Sequence, residues 1–261
     1  MTRRLYLTTS LAALLALASF AGNVQAQGTV TVITAATPLG GVFPVAPGSI
    51  AAAYGTFNGA AAFEVAGSTP LPTTLGNAQV FVNNVAAPLF FVSRLQINFQ
   101  VPLATPLGIG PLNVRVAVNG ADVATGKLNV LRTAPGIFTL DALAAAKPGA
   151  VVNSDGTVNG PSNPARRGDF VLIFGTGQGP VDIALTDGTP PSGLATATAP
   201  TRVLFGAVDA NVLFSGLAPG FVGLWQMNVV VPTQSFVRGA VPVVAIAGGI
   251  SSSAVTIWVA E

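Results

Sequence analysis

The sequence predicts an all-β protein built twice on one plan, and three observations carry that prediction. The chain is half hydrophobic but only 8% charged, with 30 glycines and 20 prolines, where an average globular domain is about 25% charged. Short segments alternate apolar and polar residues with the period of two that a half-buried strand requires. The same ordered set of segments then occurs a second time. Val, Thr and Ala dominate the remainder, a mix that forms short strands and tight turns rather than helices.

In chain order, residues 1–26 read as an export signal. Arg3 and Arg4 supply a positive start, residues 11–20 a short Leu/Ala-rich apolar run, and Val24-Gln25-Ala26 a cleavage site. Gln27 is the expected mature N-terminus. The apolar run is too short to span a bilayer comfortably, and no later segment is long enough to try. Thr2-Arg3-Arg4-Leu5-Tyr6-Leu7 also fits a twin-arginine signal. Nothing in the chain calls for a cofactor loaded before export, so the general secretory route is preferred.

Cleavage changes the charge balance. The eleven basic side chains fall to nine, equal to the nine acids. The net charge is then zero, and nucleic acid, which is captured by clustered Lys and Arg, is not an expected partner. The one mature basic pair, Arg166-Arg167, sits beside a turn and reads as a solvated loop. There is no Cys, so an exported chain that could have used disulfides relies on its cores. It also lacks the acylated Cys of a lipoprotein.

The repeat is read from four matches. Gly48, Tyr54, Gly55 and Thr56 fall on Gly168, Phe174, Gly175 and Thr176. Val85, Ala87, Leu89 and Phe91 fall on Val208, Ala210, Val212 and Phe214. The segment from Leu95 to Pro102 falls on that from Trp225 to Pro232, and Gly110–Gly120 on Gly239–Gly249. Leu95, Ile97, Phe99 and Val101 alternate with Gln96, Asn98 and Gln100, so the apolar set is expected inside. Residues 113–118 and 255–259 alternate likewise. Pro102 and Pro232 close their strands, because proline cannot donate to a ladder. Residues 151–158 read as a hairpin turned by Asp155-Gly156.

About seven short strands in roughly 100 residues, twice over, define two tandem immunoglobulin-like β-sandwich domains. The expected domains span 28–133 and 134–261. The second carries an extra segment, residues 134–168, with a short helix expected over Leu140 to Ala146.

Further motifs follow one another in the second copy: Phe138-Thr139, the run from Gly149 to Asn159, Pro161 to Gly168, Gly175-Thr-Gly-Gln-Gly-Pro180 and Leu217 to Asn228. Leu71 to Gly76 and Pro88 to Pro102 accompany them in the first. This series resembles an uncharacterised C-terminal domain family of secreted acidobacterial proteins, itself similar to the IPT or TIG immunoglobulin-like domains. The resemblance covers nearly all of the mature chain. It implies the tandem sandwich and a secreted or cell-surface location, and brings no catalytic residues with it. Members of that family normally follow other extracellular modules, whereas here the domain follows the export signal directly.

Several chemistries are excluded by residue type. Without His or Cys there is no Ser-His-Asp triad, no Cys-His pair and no usual zinc set. The nine acids stand singly rather than as the facing pair of a glycosidase. The chain is therefore expected not to be an enzyme and to need no cofactor. Gly175-Thr-Gly-Gln-Gly179 follows an apolar strand as a dinucleotide-binding loop would, but Pro180-Val-Asp-Ile continues it without helical periodicity, so it reads as a strand-ending turn. Asn153, Asp155, Thr157 and Asn159 offer oxygens to a calcium ion. Only one of them is charged, so a plain hairpin turn is preferred and no metal is expected.

Contact residues remain. Trp225 aligns with Leu95 and alternates with Gln226, so it is expected in the core. Trp258 is out of phase with Val255, Ile257 and Val259, so it should face outward or into the domain junction. Gln96, Asn98, Gln226 and Asn228 repeat one outward polar pattern in both copies, facing the junction or lining a polar surface. The leading expectation is a non-catalytic extracellular or cell-surface module acting in protein contact, adhesion or spacing. The alternative is a carbohydrate-binding module. A third reading, an outer-membrane barrel, fits poorly, because the strands are short and broken by Pro and Gly.

Overall fold

The computed structural model describes residues 28–36, 43–108 and 110–261; the export signal expected at 1–26 lies outside them. All regular structure among the described residues is β, in four antiparallel sheets. The first half holds β1 (Thr31–Thr34), β2 (Ile50–Tyr54), β3 (Glu64–Val65), β4 (Ala78–Val82), β5 (Val85–Ala86), β6 (Leu89–Val92), β7 (Gln96–Gln100), β8 (Leu112–Val118) and β9 (Ala121–Leu128). The second holds β10 (Gly136–Ile137), β11 (Val151–Asn153), β12 (Phe170–Thr176), β13 (Ala195–Thr196), β14 (Thr201–Phe205) and β15 (Val208–Ala210). It continues with β16 (Val212–Leu217), β17 (Trp225–Val230), β18 (Gly239–Ala247), β19 (Ile250–Ser251) and β20 (Val255–Val259).

Strand order defines the fold. One sheet of the first half runs β1-β2-β7-β6-β3 and the other β5-β4-β8-β9. The second half repeats this as β10-β12-β17-β16-β13 and β15-β14-β18, with β20 also beside β18. Two sheets of first, second, fifth and fourth strands against third, sixth and seventh are the immunoglobulin arrangement. No sheet takes strands from both halves. The repetition extends to irregularities: the register shifts between Leu89 and Phe91 in one copy and between the matching Val212 and Phe214 in the other. A bulge at the same place twice is a feature of the plan rather than a local defect.

Each half buries its own core. Ala51, Ala53, Ile97 and Phe99 meet Val80, Val82, Val114 and Val116 in the first. Ile173, Trp225, Met227 and Val229 meet Val203, Phe205, Val243 and Ile257 in the second. The alternation holds for Ile97, Phe99 and Val101, which are buried, but Leu95 is exposed. Leu95 precedes β7 in a turn where Ser93 Oγ accepts from both Leu95 N and Gln96 N, so the strand's alternation does not reach it.

The extra segment of the second half covers a sheet edge. Gly149 N donates to Thr256 O, and Thr256 N to Lys147 O, both at 2.9 Å; Ala165 N donates to Trp258 O and Ala260 N to Ala165 O, both at 2.8 Å. A sheet edge with open N–H and C=O groups invites pairing with another chain, and here β20 is occupied instead. The bridges from this segment to β20 run parallel, at Pro148 to Thr256 and Ala165 to Val259; the first half pairs Thr29 with Thr125 and Val45 with Val130 in the same sense.

The helix expected over Leu140 to Ala146 is absent. Asp141 Oδ1 accepts from Leu143 N (2.8 Å) and Ala144 N (3.1 Å), and Leu140 N donates to Pro148 O at 2.8 Å. Seven residues are too few to repay helix nucleation, and Pro148 disfavours helical geometry at Lys147, which takes a φ of 45°. The Asp155-Gly156 hairpin does form, with Asn153 N donating to Thr157 O at 2.8 Å and Gly156 at φ 85°.

Asn159 completes the edge. It is buried, its Oδ1 accepts from Trp258 N (2.8 Å), and its Nδ2 donates to Trp258 O (2.8 Å) and Asn153 Oδ1 (3.0 Å). The side chain thus acts as a short strand beside β20. Asn159→Ala should lower unfolding free energy by about 2–3 kcal/mol, because buried partners lose their bonds together. Urea unfolding followed by CD checks this; a change under about 1 kcal/mol would show that water replaces the amide without cost.

Candidate functional site

The two halves meet through specific polar contacts. Thr176 Oγ1 accepts from Ile50 N and donates to Gly223 O, both at 2.9 Å. Gln100 Oε1 accepts from Gly188 N at 2.7 Å, Asp187 Oδ1 from Leu103 N at 2.9 Å, and Gly188 O from Leu71 N at 2.8 Å. Backbones approach closely here: a Cβ on Gly223 would lie 2.7 Å from Gly48 O. The loops at 186–189 and 218–224 of the second half therefore seat against the first.

The polar rows separate. Gln96 and Asn98 are 7% and 1% exposed, with Gln96 Nε2 donating to Asn98 Oδ1 at 2.9 Å. In the second copy Gln226 Nε2 donates to Asn228 Oδ1 at 2.8 Å, and both residues are only half-buried. The same ladder of amides is thus covered in one copy and partly open in the other. Trp225 is wholly buried. Trp258 is half-buried, with its backbone held by Asn159 and Ala165.

Beside the buried amides lies Tyr54, paired in register with Gln96. Burial pushes its phenol up to about 12. The neutral phenol is the form the fold favours, so its contribution to stability is complete below the unfolded value of about 10 and is lost as pH rises through 12. Unfolding free energy should fall by about 2–3 kcal/mol across that window. The chain's other tyrosine is Tyr6, so a protein starting at Gln27 reports Tyr54 alone. Its phenolate absorbance should appear near pH 12 when folded and near 10 in urea; coincident titrations would contradict the burial.

Of the oxygens considered for calcium, Asn153 Oδ1, Asp155 Oδ1, Thr157 Oγ1 and Asn159 Oδ1 each accept a hydrogen bond within the protein. Asp155 Oδ1 accepts from the Thr157 hydroxyl (2.7 Å) and N–H (2.9 Å), and these bonds hold its carboxyl below the usual range. Asn153 Nδ2 donates to Thr157 Oγ1 and Asn163 O. Among the described residues no three His, Cys, Asp or Glu side chains converge.

An apolar groove of about 500 Å³ lies between the halves, lined by Val65, Leu71, Phe90 and Phe91 on one side and Phe221 and Leu224 on the other. Phe63, which is not part of this lining, is 67% exposed, and its ring lies 5.3 Å from that of the groove residue Phe91 in an edge-to-face contact. Val65, on the two-residue edge strand β3, is also exposed. Sequence reasoning did not single out Phe63. Its neighbours Ala60 to Val65 give no alternation, and only the meeting of the halves makes a groove beside it.

No protein-family model and no curated protein matches the chain. Among solved structures it is similar to the full extracellular region of plexin A4, at 13% identity and a TM-score of 0.22, over 82% of this chain and 17% of that one. It is also similar to domains 4–9 of the surface layer protein SbsC, at 15% identity and a TM-score of 0.25, over 88% of this chain and 31% of that one. Bovine butyrophilin matches at 8% identity and a TM-score of 0.23, over 89% of this chain and 99% of its own. The chain thus spans under a third of the plexin and surface-layer chains. These overlaps are partial, and the class of the fold, two tandem immunoglobulin-like sandwiches, rests on strand order. Among the described residues no helix is long and apolar enough to cross a membrane.

Proposed function

We propose that the protein is an exported, non-catalytic contact module of the cell surface or extracellular space, which docks a partner protein through the groove at its junction. The exposed Phe63 beside Phe91 carries this reading. An aromatic anchor over a concave apolar surface is the usual centre of a protein contact. β3 is too short to add a partner strand, so recognition falls to side chains. The export signal read at 1–26 and the resemblance to secreted acidobacterial C-terminal domains support the location. The lack of His and Cys and the scattered acids support a role without catalysis.

The test compares two baits, the unchanged protein and Phe63→Asp, against outer-surface extracts. Phe63 is exposed, so both should unfold at the same urea concentration. The expected result is a protein captured by the unchanged bait and lost with Phe63→Asp. Capture that survives the substitution overturns the reading, as does glycan-array binding without protein capture.

A further inference from the structure

The junction holds a second concavity, of about 230 Å³. Leu103 and Leu107 from the first half face Val181, Ile183, Leu185 and Leu217 from the second. Four polar side chains interrupt these aliphatic walls: Gln100, Gln178, Thr189 and Arg132. Gln178 is only 3% exposed, and its Oε1 is a buried side-chain atom without a hydrogen-bond partner. A buried carbonyl oxygen is rarely left without a donor. Gln100 is also buried and commits its Oε1 to Gly188 N, so what its amide still offers is a donor. Arg132 is exposed and takes no part in the ion pairs of the described residues, which join Arg115 to Asp122, Arg202 to Asp209 and Arg238 to Glu261.

We infer that this cavity binds a small aliphatic organic acid carrying an N–H or O–H donor, the chemistry of a 2-hydroxy acid or an N-acylated aliphatic amino acid. The donor satisfies Gln178 Oε1, the carboxylate meets Arg132, and the aliphatic chain lies between the leucines and Ile183. At about 30 Å³ per water the volume equals some seven waters, enough for a molecule of that size. A single water would satisfy Gln178, but it explains neither the six aliphatic walls nor the guanidinium. No aromatic ring lines the cavity, which removes the stacking surface a sugar would use. The site is separate from the groove at Phe63, and either can fail without the other.

The test is an amide NMR titration with N-acetyl-leucine, its neutral amide, and 4-methylpentanoate, which lacks the donor. N-acetyl-leucine should give saturable shifts around Gln100, Leu103 and Gln178 to Val181. Affinity should fall about tenfold for each of the other two probes and for Gln178→Met. Arg132→Gln should abolish the preference for the acid over the amide. The absence of saturable shifts up to about 10 mM overturns the inference and leaves a hydrated cavity. Affinity unchanged in Gln178→Met, or equal for all three probes, overturns it as well. Should Gln178→Met fail to fold, the probe series and Arg132→Gln still decide.

Discussion

Gly177→Ala is expected to lower unfolding free energy by about 3 kcal/mol or more, while Gly156→Ala costs about 1 kcal/mol. Both glycines have positive φ, 83° and 85°, so both substitutions carry the strain of a left-handed L-residue. They differ in surroundings. A Cβ on Gly156 meets open space, whereas one on Gly177 would lie 1.9 Å from Ala134 O. That approach is fixed by a hydrogen bond from Ala134 N to Gly177 O at 2.8 Å, so the backbone must move to admit a methyl group. Gly177 is the middle glycine of Gly175-Thr-Gly-Gln-Gly179, and the pair of variants gives its reason for being there. It lets the start of the second half pass against the end of β12. Urea midpoints measure both effects; equal losses would mean that strain alone explains the glycine.

Trp225→Ala is expected to cost about 3–5 kcal/mol, and Trp225→Phe about 1–2 kcal/mol. Trp225 is the largest fully buried side chain and sits between the two sheets of the second half. Its Nε1 donates to Ser215 Oγ at 2.9 Å, and Ser215 Oγ pairs with Thr201 Oγ1 at 2.8 Å. Phenylalanine keeps most of the packing and leaves the Ser215–Thr201 pair intact. Alanine opens a cavity that these neighbours cannot close. Guanidinium unfolding followed by CD reads both changes. With two tryptophans in the chain, Trp225→Phe should also shift emission to the red, because the remaining Trp258 is half-buried. A cost under about 1.5 kcal/mol for Trp225→Ala would mean that the core collapses around the gap.

Much of the fold was legible because it is local. Period-two runs at Ile97–Val101 and Val255–Val259 sort their own residues into inside and outside, and Asp155-Gly156 specifies its own turn. The matched order of segments gave the repeated plan, while the bulges beside Phe91 and Phe214 show only in the strand register. What stayed hidden depends on contacts from elsewhere. Gln96 and Asn98 stand on the face that alternation marks as outward, yet they are buried. Local pattern reports which face of a sheet an amide occupies, not whether a second layer covers it. Thr176 and Asp187 matter because they bond to Ile50 and Leu103, more than 80 positions away. Trp225 and Leu95 occupy matched positions, but one is core and the other exposed, since a turn intervenes before β7. Phe63 and Gln178 acquire meaning only from where the halves touch.

The parallel bridges at the edges have a mechanical consequence. In the first half, the segment through Thr29 and Val45 enters beside the segment through Thr125 and Val130 that leaves, and the two run in the same direction. Tension applied through these two segments pulls them past each other along their length. The backbone bonds at Val30, Thr125, Val45 and Leu131 are then loaded in shear and share the force, instead of parting one after another as in a hairpin opened from its end. Resistance to stretching is a matter of unfolding rate, so this arrangement in the first half bears on how fast it opens under load rather than on its equilibrium stability.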